Sequence, residues 1–173
     1  MKNVFVSVIA LAIIILLPCR AMGQVSSTAA SVGIDAKVIA PISITNTTAL
    51  NFGTVSRSTA SGTVILALDG TRSSTGGATV LSSSSFSAAA FSVTGENSAT
   101  YSVTTPKSTD VVTLTRQNGN GETMTVTNFI NNSPTSLSEA GTATFLVGAT
   151  LNLGANQIAG NYTGSFSVTV AYQ

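Results

Sequence analysis

Apolar residues alternate with polar ones along most of this chain, and that period of two restricts it to half-buried β-strands. Ala30, Val32, Ile34, Ala36, Val38 and Ala40 share one parity, opposite Ser31, Asp35 and Lys37. Pro41 interrupts, and Ile42 and Ile44 resume the pattern. Ala143, Phe145, Val147, Ala149, Leu151 and Leu153 form a second such row. Tyr162, Phe166, Val168, Val170 and Tyr172 form a third, against Thr163, Ser165, Ser167 and Thr169. Shorter strands are expected around Leu50 and Phe52, over Phe86–Val93, Tyr101–Val103 and Val111–Leu114, and at Met124 and Val126. Val64–Leu68 reads as a strand buried on both faces. Asp69-Gly70, Gly76-Gly77 and above all Asn118-Gly119-Asn120-Gly121 mark turns, because such residues adopt positive φ at little cost. The stretch Asn131–Glu139, with Pro134, reads as a loop. No helical period, internal repeat or linker interrupts this regime. The expectation is one all-β domain, an antiparallel β-sandwich of immunoglobulin-like type, with a closed barrel as the alternative.

The first residues follow a different rule. Lys2 precedes an apolar run from Val4 to Leu17, Pro18-Cys19-Arg20 end it, and Ala21-Met22-Gly23 supply small residues. A charged, then apolar, then small-residue order predicts a signal peptide over residues 1–23, with the β-domain over 24–173. The run is shorter than the ~20 apolar residues that span a bilayer. A lipid-modified Cys19 is the competing reading, but Pro18 stands where such signals carry a small residue. The expected location is outside the cytoplasm: periplasm, cell surface or medium.

Processing at Gly23 removes the only cysteine, so no intrachain disulfide forms, and the sequence has no histidine or tryptophan. Imidazole acid–base chemistry, histidine metal sites and thiol nucleophiles are therefore excluded. Of seven Lys and Arg, removing Lys2 and Arg20 leaves five against six acids, a net charge of −1. Such a balance offers no footprint for nucleic acid. The six acids are Asp35, Asp69, Glu96, Asp110, Glu122 and Glu139, mostly beside glycines or turn signals. No calcium-loop spacing and no phosphate-binding loop is present. No catalytic residue, metal ligand or cofactor is predicted, and an enzyme is not expected.

The closing segment Gly160-Asn161-Tyr162-Thr163-Gly164-Ser165-Phe166-Ser167-Val168-Thr169-Val170-Ala171-Tyr172-Gln173 resembles the terminal strand of chaperone–usher pilus subunits. In those proteins a penultimate tyrosine and a glycine fourteen positions from the end recur, the places held by Tyr172 and Gly160. The mature chain also looks like a family of exported bacterial proteins of uncharacterised function, thought to be immunoglobulin-like and fimbria-associated. That likeness rests on Ala40–Ile44, Leu50–Val55, Phe91–Glu96, Val147–Leu151 and Gly160–Tyr172. Many pilus subunits carry a disulfide near the first strand; this chain does not. The resemblance implies a structural or adhesive subunit assembled by β-strand complementation, with a periplasmic chaperone and other subunits as partners. Val32, Ile34, Ala36 and Val38 are then the donor-strand candidates. Gly160, Tyr162, Phe166, Val168, Val170 and Tyr172 are candidates for the accepting edge. Two alternatives remain: a self-complete module binding a carbohydrate or surface ligand, which lacks tryptophan for stacking on sugars, and a two-acid hydrolase.

Overall fold

The computed structural model describes residues 27–173; the expected signal peptide and Cys19 lie outside them. By internal contacts the chain divides after Lys37. Residues 27–37 contain no regular element and are exposed throughout. From Val38 onward the protein is entirely strands and turns, without a helix. The strands are β1 (Ser43–Thr48), β2 (Val55–Ser56), β3 (Gly62–Leu66), β4 (Arg72–Gly76), β5 (Thr79–Val80) and β6 (Ala89–Thr94). They continue as β7 (Tyr101–Thr104), β8 (Val112–Arg116), β9 (Thr123–Asn131), β10 (Thr142–Leu153), β11 (Tyr162–Thr163) and β12 (Thr169–Tyr172).

The main sheet runs β1-β6-β10-β9-β8-β11, with β3 also on β10 and β4 on β3; the pairs β12-β7 and β2-β5 stand apart. Every pairing is antiparallel. The long β10 pairs with β6 through residues 142–147 and with β3 through residues 149–153, while β9 lines its other edge. Its alternation is what the sequence predicts: Phe145, Val147, Ala149, Leu151 and Leu153 are all buried. Cross-strand partners Phe145 and Phe91 stack with ring centroids 5.2 Å apart. Val64, Leu66, Val93, Tyr101 and Val147 are the largest fully buried side chains, and Val103, Val168, Val170 and Tyr172 from the β7–β12 ribbon pack on the same core. The ribbon and the main sheet thus enclose one apolar interior.

Four expectations change. The alternating row from Ala30 to Ala40 forms no strand; alternation prescribes which side chains could be buried, but a strand also needs a hydrogen-bonding edge. β3 is half-buried rather than buried on both faces, because Ile65 points outward between Val64 and Leu66. The closing segment is two strands: β11 pairs with β8, β12 pairs with β7, and Gly164–Val168 pair with neither. Finally, Arg72–Gly76 is a strand that its few apolar side chains did not announce.

Candidate functional site

A bulge in β9 builds the most distinctive surface of the domain. Gly148 pairs with Ile130 and Thr150 with Thr127, so Asn128 and Phe129 both lie opposite Ala149. Asn128 takes positive φ (51°), which asparagine tolerates better than most residues. The extra residue switches parity, so Val126 and Phe129 are both buried although they are three apart. Phe129 then meets Phe166, ring centroids 5.2 Å apart and tilted by 53°.

Phe129 and Phe166 belong to the lining of a cleft of about 1030 Å³. Its floor is apolar: Phe91 from β6, Leu114 from β8, Met124 and Val126 from β9, Leu151 and Leu153 from β10. One wall is Ala49–Arg57, the other Gln157–Phe166. The first wall is held from behind. Asn51 and Ser87 exchange two backbone hydrogen bonds of 2.9 Å. The Arg72 guanidinium donates to the carbonyls of Phe52 (2.7 Å) and Leu81 (2.6 Å) and lies 4.3 Å above the Phe86 ring. Gly53 (φ 69°) must be glycine, because a Cβ there would collide with Arg72 Nη1 and Ser84 Oγ.

The second wall is set by Tyr162. Its hydroxyl donates to the Ile158 carbonyl (2.7 Å) and accepts from Gln157 Nε2 (2.8 Å), while its backbone pairs with Arg116. Gln157 Nε2 also donates to the Thr123 carbonyl (3.1 Å), fastening the wall to β9. At one end the walls are tied together: Asn156 N–H donates to the Ser58 carbonyl (2.9 Å) and Arg57 Nη1 to the Gln157 carbonyl (3.3 Å). The cleft therefore ends in a polar bar and runs from there over an apolar floor towards Asn46 and Phe166.

Of the candidate edge residues, Gly160, Tyr162 and Phe166 line this cleft. Val168 packs on the core, and Val170 and Tyr172 belong to β12, opposite Val103 and Tyr101. The predicted edge is thus divided between the cleft and the β7–β12 ribbon. The donor candidates Val32, Ile34 and Val38 are 82%, 93% and 94% exposed, Ala36 is exposed as well, and none pairs with a strand. Sequence reasoning did not single out Asn128, Gln157 or the Leu50–Val55 wall as parts of a site. The one legible signal was the change of parity between Val126 and Phe129.

The acids have local tasks. The Thr71 hydroxyl (2.6 Å) and amide (2.8 Å) donate to Asp69 and hold its carboxyl below its ordinary range. Glu122 is likewise lowered, first by its own backbone amide, then by Asn120 N–H and by Arg116 at 3.2 Å. Asp110 accepts from Lys107 N–H (2.8 Å). Among the described residues no three His, Cys, Asp or Glu side chains gather where they could hold a metal. No helix among them is long and apolar enough to cross a membrane.

What the fold and the cleft define is an antiparallel all-β domain that presents a walled apolar trough. Residues 42–172 match the family described as a domain of unknown function (DUF4402), and the chain belongs to that family. No curated protein and no solved structure matches it.

Proposed function

We propose that this chain is an exported structural or adhesive subunit of a fimbria-like surface assembly, in which residues 32–38 of one copy enter the cleft of another. The observation that carries this reading is the arm itself: side chains apolar at every second position, nearly fully exposed and without a paired edge. Exposed apolar rows of that kind mark association surfaces. A strand laid in a groove gains backbone hydrogen bonds and fits alternate side chains into pockets. Val32, Ile34, Ala36 and Val38 supply the apolar side, and Asp35 and Lys37 face the solvent. The cleft suits such an occupant. At about 1030 Å³ it lies at the upper end of the ~300–1,000 Å³ usual for small-molecule sites, and it is lined by two chain segments, Ala49–Arg57 and Gln157–Phe166.

Chain reach favours a second copy as the donor. Ala40 lies before Ser43, and the first cleft residue along β1 is Asn46. At ~3.3 Å per residue, an arm reversing at Pro41 covers about 20 Å, and uses Ile39 back to Ile34, before it draws level with Asn46. The apolar set would be used alongside β1 instead of in the trough. A self-complete binding module, the main alternative, gives the arm no task.

The test compares the processed chain with Ile34→Asp and with Asp35→Asn, which lies on the opposite parity. In sedimentation velocity the unchanged chain is expected to associate. Ile34→Asp should raise its apparent dissociation constant about tenfold or more, the scale of one buried isoleucine. Asp35→Asn should leave it nearly unchanged, and all three should melt alike as monomers. Equal association by Ile34→Asp and the unchanged chain would refute the arm as donor.

A further inference from the structure

The penultimate residue holds the base of the arm. The Tyr172 hydroxyl donates to the Ala40 carbonyl (2.8 Å) and accepts from the Glu96 amide (2.6 Å). Glu96 Oε2 in turn accepts from the Ala40 amide (3.1 Å). These three hydrogen bonds close a ring in which both backbone groups of Ala40 are engaged by side chains 56 and 132 positions away. Gly95 makes room for the ring: a Cβ there would collide with the Tyr172 hydroxyl and approach Leu137 Cδ1 to 3.0 Å. Pro41 contributes from the other side, since it fixes its own φ and keeps the preceding Ala40 extended. Two residues upstream, Val38 is 94% exposed. Ala40 is thus the point at which the fixed domain ends and the exposed arm begins.

We propose that Tyr172 and Glu96 are positioning residues that set where and in which direction the arm leaves the domain. This assignment rests on the reading of residues 32–38 as a donated strand. The clasp anchors the arm at the Ser43 end of β1, the end away from the cleft. It also joins β12 to the base of the arm, so anything that displaces β12 from β7 releases the Ala40 carbonyl and leaves Glu96 alone holding the Ala40 amide.

Tyr172→Phe in the processed chain keeps the packed ring and removes the hydroxyl; Glu96→Ala removes the other acceptor. Two readouts report the clasp: hydrogen exchange at the Ala40 and Glu96 amides, and the rate of tryptic cleavage after Lys37, whose protease-bound conformation needs Ala40 released. Loss of one hydrogen bond of ordinary strength is expected to speed exchange about fivefold at the Glu96 amide in Tyr172→Phe and at the Ala40 amide in Glu96→Ala, and cleavage in either. Cross-linking between Ile34→Cys copies and copies carrying Val112→Cys, at a further lining residue of the cleft, with Cys19→Ser wherever residue 19 is retained, reads the arm's delivery to a second cleft. Its rate should fall with either clasp variant while melting of the domain changes by only a few degrees. Unchanged exchange and cleavage in Tyr172→Phe would overturn the clasp. Faster exchange with undiminished cross-linking would overturn the positioning role while leaving strand donation intact. Absence of cross-links and of association even with the clasp unaltered would overturn strand donation, and the positioning role with it.

Discussion

Tyr101 shows how local chemistry and packing can disagree at a single residue. Its side chain is among the largest fully buried ones, and its hydroxyl has no hydrogen-bond partner. Burial alone pushes its phenol pKa up, as desolvation of a group without a compensating charge must. A buried polar atom left unpaired costs ~1–3 kcal/mol, while the ring contributes the same apolar area with or without the oxygen. Tyr101→Phe is therefore expected to stabilise the domain by about 1 kcal/mol, read as a raised urea midpoint with an unchanged slope. The backbone of Tyr101 is unaffected, since its N–H donates to the Thr135 carbonyl whatever the side chain is. Arg72 is the opposite case. Its side chain joins two loops and an aromatic ring through contacts that no spacing in the sequence announced.

At the scale of elements, the β9 bulge is what lets Val126 and Phe129, three positions apart, both face the core. Deleting Asn128 removes the extra residue and leaves Phe129 two positions beyond Val126, on the same inner face and opposite Ala149. Phe129 should then stay buried, and the cost should remain well below the ~3–5 kcal/mol of losing a buried phenylalanine. Asn128→Gly, which keeps positive φ and the amide bond to the Ser108 carbonyl, should be near neutral. Urea denaturation of both variants separates the geometric role from general sensitivity of β9. These elements also show what a linear reading can reach. β10 was legible because Phe145, Val147, Ala149, Leu151 and Leu153 share one parity, with Leu146 alone on the other, and the β8–β9 hairpin because Asn118 and Gly121 take positive φ. β4 was not, since Arg72-Ser73-Ser74-Thr75-Gly76 owes its strand to the hydrogen-bonding edge of β3. The division of the last strand was hidden for the same reason: Tyr162–Tyr172 keeps its parity while its partner changes from β8 to β7. Parity records which side chains are buried; partners are set by tertiary geometry that the local sequence does not contain. Of the candidate site, the apolar arm and the Tyr162–Phe166 wall could be read, and the opposite wall with its Arg72 support could not.

For the whole molecule, charge chemistry predicts an unusual evenness. The described residues include no histidine or cysteine, so no side chain with an ordinary pKa titrates between about pH 5 and pH 9. Thermal stability should be level across that range. On acidification the sign follows from Asp69 and Glu122, whose carboxyls are held below their ordinary values of 3.8 and 4.5. Their stabilisation is complete above those values and is lost as the pH falls through the lower, folded ones. Protection from amide exchange at Thr71 and Asn120, measured against the intrinsic rate at each pH, should therefore fall below about pH 4 before the core strands open, and Asp69→Asn should abolish that loss of protection at Thr71. The separation of Ala40 from the cleft has a consequence of another kind. If copies join by arm and trough as proposed, they meet through two unlike surfaces, so each joint repeats one displacement and leaves the ends of the array different. Growth of the proposed fibre would then have a direction: an empty trough would remain at one extremity and an idle arm at the other, and whatever begins or stops it would need to recognise only one of them.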